Sequence, residues 1–398
     1  MLDWNKTEMK KLKAAQAEVA EVERQLNQAF PERRPAIRSM LVARHIGEHV
    51  LLLGPPGTGK SLMTSVFADA VAGGSYFEIL MTKFTVPEEI FGPVSYSALK
   101  QDRYERAMAG YAPDKRVWFL DEIWKASSAI LNALLKATNE RVVVNGGKLV
   151  SIPLETVIGA SNEYPQDDSL QAMYDRFAFR HWIDYIADDD NLAKLWAQGG
   201  RPSKVDAKLS KDAVAVLKKA ICEMRLDATH LDTFRTIKAA VVQEGFLPST
   251  RTWMKALKIV KAMAVLSGRT AVAGSDFAVL ANVLWKQHED RPKLQQVIGN
   301  AADPYGSRAE AIVDGVKAAM AGLPSLDSLK AGQITKAEIT KAIAEVSGQV
   351  SGERDKLAEV AKEAGGSDAV DEATETVEAA LSQVDKLMQE VLWYRGGK

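Results

Sequence analysis

The chain has 398 residues, with 51 Lys plus Arg against 52 Asp plus Glu, 46% hydrophobic residues and 26% charged. This is the composition of a soluble globular protein of two or three domains, and its near-neutral balance argues against wholesale coating of nucleic acid, while leaving room for a locally basic pore. Cys222 is the single cysteine, which excludes an intrachain disulfide and an all-cysteine metal site; no apolar run approaches the ~20 residues that span a bilayer, and a reducing, cytoplasmic setting fits best.

In chain order, the N-terminus "MLDWNKTEMKKLKAAQAEVAEVERQL" is charged and helical rather than a signal peptide, and "RPAIRSMLVARHI" presents apolar residues at helical spacing. From Val50 to about Ile186, short apolar runs alternate with helices. "HVLLLG", "YFEIL", "RVWFLDE" and "LETVIGASN" read as buried strands, so the core is expected to be α/β, a mostly parallel sheet covered by helices. Asp188–Asp190 marks the exit from this core. Residues 191–296 lose the strand signal and read as helices. The remainder is rich in Ala, Glu, Lys and Val, with loop breaks at "AGLPS" and "EAGGSD". Its last helix repeats Val370, Val377, Val384 and Val391 every seven residues, with Ala373, Ala380, Leu387 and Tyr394 between them. That narrow seam suits packing on another helix, and a bundle within the chain supplies one more readily than a coiled coil between chains. The expected divisions are 1–190, 191–300 and 301–398.

The chemistry-bearing motif is "GPPGTGKS", Gly54 to Ser61, which follows "HVLLL" and precedes the helix-like "SLMTSVFADAV". Strand, glycine-rich loop and helix in this order form a phosphate cradle, because backbone N–H groups and the helix N-terminus face the anion. Gly54, Pro55, Pro56, Gly57, Thr58, Gly59, Lys60, Ser61 and Leu62 are the expected nucleotide contacts. Lys60 should reach the β- and γ-phosphates of ATP, and the Ser61 hydroxyl should ligate Mg²⁺. In "VWFLDE", Asp121 can hold the metal ion and Glu122 can polarise an attacking water. Asn162, at the end of "VIGASN", suits orientation of that water. "MYDRFAFRHW" offers Arg176 and Arg180 for transition-state charge, and "LPSTRTWMKALKIV" sets Arg251 at the start of an amphipathic helix. Taken singly these last residues are weak signals: an Asn after a strand is often a turn residue, and an Arg on a helix usually faces solvent.

The ordered series "GPPGTGKS", "FLDEIWKASSAILNALLKATNER", "ASNEYPQDDSLQAMYDRFAFRHW" and "STRTWMKAL" resembles the MoxR family of AAA+ ATPases, and its RavA-like branch most of all, over roughly residues 30–290. The resemblance implies an AAA+ P-loop core followed by an all-helical lid and a C-terminal helical region. It assigns Lys60 and Ser61 to Walker A, Asp121 and Glu122 to Walker B, Asn162 to sensor 1, Arg176 to the arginine finger and Arg251 to sensor 2. It further implies a homo-hexameric ring in which Arg176 acts on the ATP of a neighbouring subunit, with Arg251 acting in cis or in trans. A partner with a von Willebrand factor A domain and a protein client are implied too. The RavA-like branch carries a small β-rich part near its C-terminus; this chain has no strand-rich stretch there, so functions tied to that part are not implied.

Within this frame "FGPVSYSALKQDRYERAMAGY", residues 91–111, matches an insert that projects toward the ring's central face. "VVVNGGKLVSI" reads as a second protrusion, a hairpin turning at Asn145, Gly146 and Gly147, residues that tolerate positive φ. Arg103, Arg106 and Lys148 are expected to lend these protrusions positive charge. The expected function is ATP-driven, chaperone-like remodelling of protein complexes. The alternatives are a ring motor translocating nucleic acid, disfavoured by the charge balance, and a nucleotide-gated scaffold that hydrolyses little.

Overall fold

Apolar runs buried on both faces become the strands of a parallel sheet. The computed structural model describes residues 2, 4–165, 168–330, 333–364 and 368–394. Its strands are β1 (His49–Leu53), β2 (Tyr76–Leu80), β3 (Val117–Asp121), β4 (Val142–Asn145), β5 (Lys148–Ser151), β6 (Thr156–Ser161) and β7 (Phe177–Trp182). Five of them form one sheet in the order β2-β3-β6-β1-β7, every neighbour parallel. β1, next to the β7 edge, pairs Val50 with Ile158 of β6 on one side and with Phe179 of β7 on the other. Its Val50, Leu51, Leu52 and Leu53 are fully buried.

The four expected strands lie where the apolar runs place them. The fifth, β7, lacks a continuous apolar run. Its Arg180 and His181 interrupt the apolar run, yet both are buried. Arg180 donates to the carbonyls of Val283 and Trp285 at 3.1 and 2.7 Å and lies over the Tyr174 ring, so a later segment of the chain covers this edge strand.

One compact unit comprises residues 1–232 and 242–294, the other 233–241 and 295–398. In the first, the helix Lys6–Ala29 begins at Asn5, whose side chain accepts from the Thr7 and Glu8 N–H groups while the Glu8 carboxylate accepts from the Asn5 N–H. That reciprocal cap satisfies donors the helix leaves open. The helix Arg34–Ile46 ends at Gly47 in the left-handed conformation and leads into β1. Helices Lys60–Ala72 and Ser128–Glu140 follow β1 and β3, and Lys211–Glu223 and Thr250–Leu266 belong to the same unit.

The second unit contains the helices Pro304–Ala321, Lys336–Ala364 and Asp368–Trp393. Arg308 near the start of the first pairs with Glu363 near the end of the second. Lys336, opening the second, donates to the Leu392 and Tyr394 carbonyls at the end of the third, so consecutive helices run antiparallel. The valine seam is internal: Val370, Val377, Val384 and Val391 are buried against Ile339, Ile343, Val350 and Leu357. The break at "AGLPS" falls after Ala321, whereas residues 365–367 of "EAGGSD" lie outside the described residues. Among the described residues no helix is long and apolar enough to cross a membrane.

Candidate functional site

The carboxyl ends of the central strands gather five side chains from three separate motifs. β1 ends at Leu53 and the chain enters Gly54–Gly59. Gly54 has φ 138°, and a Cβ there would stand 2.1 Å from the Ile183 carbonyl oxygen, so only glycine lets the loop pass β7's exit. Gly57 and Gly59 take φ 80° and 81°, with open space where a Cβ would point. The helix Lys60–Ala72 starts at Gly59 without a side-chain cap, which leaves N–H groups facing the loop.

Lys60 is buried, and its Nζ donates to the Gly54 and Pro55 carbonyls at 2.8 Å each, and to Thr58 Oγ1 and Asn162 Oδ1 at 3.3 Å. Burial lowers its pKa, and Asp121 and Glu122 oppose that shift. Ser61 Oγ donates to Asp121 Oδ2 at 3.1 Å. Asn162 Nδ2 donates to Glu122 Oε1 at 2.7 Å, and Lys125 stands 3.3 Å from Glu122 Oε2. Glu122 has φ 51° and ψ 43°, a left-handed backbone that costs a non-glycine residue about 1 kcal/mol. Strain of this kind concentrates at sites where a side chain must be aimed, and here it turns the carboxylate toward Asn162. Leu62 follows on the first turn, with its side chain exposed.

This donor set fits Mg²⁺ held jointly with phosphate. A hydroxyl and a carboxylate stand in contact beside a buried ammonium, and Mg²⁺ is commonly bound by one or two protein oxygens plus phosphates and water. Among the described residues no group of three or more His, Cys, Asp or Glu could hold a metal ion alone.

Two of the sequence-derived residues lie elsewhere. Arg176 precedes β7, whose first residue pairs with His49 at the start of β1. Arg176 therefore sits at the amino end of the sheet, and Lys60 lies past the carboxyl end. Five residues of β1 separate those ends by roughly 16 Å at ~3.3 Å per residue. Arg251, in the first turn of Thr250–Leu266, lines the same amino-end pocket of 380 Å³. Arg141, Lys255 and Lys258 line it too, against the single acid Glu48. Arg141 is taken up by the carbonyls of Thr138 and Gly47, and Lys255 by Glu48 at 2.9 Å. Among the described residues neither Arg176 nor Arg251 makes an ion pair, and Arg176 Nε is buried without a partner. Burial, then the charge of Arg251, pushes the Arg176 pKa down. Arg176 and Arg251 thus add like charge to one pocket.

Arg180, the other arginine of "MYDRFAFRHW", is buried with Nη1 bonded to two carbonyls, although its Nε has no partner, and burial keeps it from phosphate. Lys255 and Glu48 were missed by sequence reading; the available signal was the four-residue spacing of Arg251 and Lys255, one helical face.

The expected hairpin is present, while the charge of the two protrusions and the role of Asn145 differ from expectation. Residues 91–111 form a short helix, Tyr96–Leu99, and an antiparallel bridge between Val94 and Arg106. The hairpin β4–β5 turns at Gly146 and Gly147, with φ 57° and 75°; Asn145 is the closing residue, opposite Lys148. The Asn145 side chain instead accepts from Arg106 N–H at 2.6 Å and donates to its carbonyl at 3.3 Å, joining hairpin and insert. Arg103 pairs with Glu105 and Arg106 with Glu88, so the expected positive charge is largely neutralised. Tyr96, Leu99, Tyr104, Val144 and Leu149 are exposed, so the protrusions present apolar and aromatic groups.

The sequence family described as the MoxR domain in MoxR-vWA-beta-propeller ternary systems matches residues 17–224. The AAA lid domain family matches residues 217–298. Two uncharacterised proteins of Methanocaldococcus jannaschii are 34% and 35% identical to this chain over 322 and 290 residues. The first alignment covers 79% of this chain and 82% of the relative, the second 72% and 77%. The chaperone MoxR1 of Mycobacterium tuberculosis is 29% identical over 178 residues, 44% of this chain and 46% of that one. A crystal structure from Cytophaga hutchinsonii, described as a candidate ATPase, matches with TM-score 0.58 and 18% identity, covering 73% of this chain and 95% of its own. That likeness shows a shared fold.

Proposed function

Since the chain belongs to the MoxR family of AAA+ ATPases, we propose that it is a ring-forming ATP hydrolase that remodels or activates protein complexes. In this reading Gly54–Leu62 is the Walker A loop, and Lys60 binds the β- and γ-phosphates. Ser61 and Asp121 would hold Mg²⁺, which would neutralise phosphate charge when bound. Glu122 accepts a proton from the water that Asn162 orients. As that water's oxygen bonds to the γ-phosphorus, the bond to the β–γ bridging oxygen breaks, leaving ADP and phosphate. Arg176 and Arg251 stabilise the spreading charge on the ATP of a neighbouring copy.

The observation that carries this reading is the division of charge across one sheet. The residues assigned to phosphate cluster at the carboxyl ends, while two arginines without an ion pair among the described residues share a pocket at the amino end, roughly a strand length away. A guanidinium so placed does not reach its own chain's nucleotide, and serves one bound to the next copy in a closed head-to-tail ring. A hexamer is the ring size that goes with the family resemblance, and Arg251 then acts in trans by the same geometry as Arg176.

The partner follows from the family description: a protein with a von Willebrand factor A domain, and a beta-propeller protein as third component. The exposed aromatic and aliphatic side chains of the insert and hairpin are the surface we assign to the client. The RavA-like placement rests on the motif series and the insert, and a cytoplasmic location on composition.

The test is a trap. Tagged Glu122→Gln protein, expressed in its native host and held in ATP, should retain a von Willebrand-type protein or an enzyme complex, and a Lys60→Ala control should not. Recovery of nuclease-sensitive nucleic acid without such a protein would replace this reading with a nucleic-acid motor. Recovery of nothing would leave a nucleotide-gated scaffold.

A further inference from the structure

Lys255 stands one helical turn beyond Arg251, so the two project from the same face of Thr250–Leu266. Its side chain is 13% exposed, and its ammonium group contacts three acceptors. Glu48 Oε2 lies at 2.9 Å, the Arg176 carbonyl at 3.0 Å and the Asp175 carbonyl at 3.5 Å. Glu48, itself 13% exposed, immediately precedes β1, and Asp175 and Arg176 form the turn into β7. One buried cation thus joins the helix bearing Arg251 to the main chain of Arg176 and to the edge of β1. A lysine suits this post, since three rotatable donors can satisfy acceptors from three segments. The arrangement also runs against simple repulsion: Lys255, Arg176 and Arg251 are like charges sharing one pocket, and Glu48 forms an ion pair with Lys255 alone among these three.

We propose that Lys255, held by Glu48, is a positioning residue that fixes Arg251 and Arg176 at the spacing needed to meet one triphosphate. This rests on the reading that both arginines serve the ATP of a neighbouring copy. Without the tie, repulsion between the guanidinium groups is free to spread them. A displacement of ~1 Å at a reacting centre can cost as much as ~10²-fold in rate. Lys255 spends its donors on Glu48 and the Asp175 and Arg176 carbonyls, so its loss should act on turnover and spare nucleotide affinity.

The experiment measures kcat at saturating ATP, ATP Kd and the thermal midpoint for the full chain carrying Lys255→Met, with Arg176→Ala as control. The expected result is a kcat lowered roughly 10- to 100-fold per titrated ATP site, with ATP Kd within about twofold of the parent. Glu48→Gln keeps both carbonyl contacts of Lys255 and should lose kcat in the same direction but less. It also carries the test if Lys255→Met does not fold. Unchanged kcat in Lys255→Met, or in Glu48→Gln when Lys255→Met does not fold, with Arg176→Ala inactive, would overturn the positioning role and leave the arginine reading intact. Weakened ATP binding in step with kcat would overturn it too, because the residue would then support the fold at large. Full turnover in Arg176→Ala would remove the reading beneath the proposal, whatever Lys255 does.

Discussion

At the carboxyl ends of the sheet, positive and negative groups already answer one another. Lys60 has four acceptors, Ser61 meets Asp121, and Glu122 meets both Asn162 and Lys125. At the amino end, five cations share a pocket with one acid, and the two arginines nearest the expected chemistry have no carboxylate partner among the described residues. The first cluster is balanced within one chain. The second keeps an excess of positive charge among the described residues. That asymmetry is what the proposed ATP site between two copies would require: one copy bringing the nucleotide and the base, the next bringing the charge.

The comparison can be broken most forcefully at Arg176. Arg176→Ala should lower kcat by roughly 10³-fold or more, with little change in ATP affinity or thermal midpoint, because the group makes no ion pair among the described residues. Steady-state turnover alongside calorimetric ATP binding checks both halves, and a parallel loss of affinity would move Arg176 to its own chain's site.

Arg180, four residues on, sharpens the contrast. It donates to two buried carbonyls and stacks on Tyr174, so Arg180→Ala should cost about 3 kcal/mol of stability and leave kcat of the folded fraction near the parent value. Denaturant unfolding and active-site-titrated turnover separate the two arginines. Similar kinetic losses for both would erase the distinction drawn between them.

The smallest effect concerns a paired cation at the same end of the sheet. Arg44 lies 3.0 Å and Lys218 2.8 Å from the Glu155 carboxylate, just before β6. Burial raises the Glu155 pKa, but Arg44 and Lys218 outweigh it and hold it below the usual range. A carboxylate whose folded pKa is depressed adds stability above its unfolded pKa of ~4.3, and loses it as pH falls through the folded value. Glu155→Gln should therefore lower the neutral-pH thermal midpoint by about 2–4 °C and flatten its fall in acid. An unchanged acid profile would show that this pair contributes nothing measurable.

Sequence and structure agree unevenly, and the reason is where the information lies. The position of the glycine-rich loop, Asp121–Glu122 and Asn162 is legible because each sits at the end of an apolar strand whose run marks it. The valine seam is legible because its period matches a helix–helix contact, and Val370, Val377, Val384 and Val391 are buried together. β7 was hidden by Arg180 and His181, polar residues whose burial depends on a covering segment a hundred residues later. Arg176 and Arg180 were indistinguishable for the same reason: local sequence does not say which guanidinium finds carbonyls. The pocket of Glu48, Arg141, Arg176, Arg251, Lys255 and Lys258 is drawn from four separated segments, and topology alone brings them together. Asn145 looked like a turn residue by type, but the two glycines after it take the positive φ values and free its amide to bind the insert.

The most direct test mixes two inactive proteins. Arg176→Ala retains an intact nucleotide cluster and lacks the guanidinium, whereas Glu122→Gln lacks the base and retains the guanidinium. In a mixture shown to co-assemble, ATP turnover should reappear, because some interfaces pair a sound cluster with a sound arginine. Absence of any turnover in such mixed assemblies would contradict the account that ATP is hydrolysed between two copies of this chain.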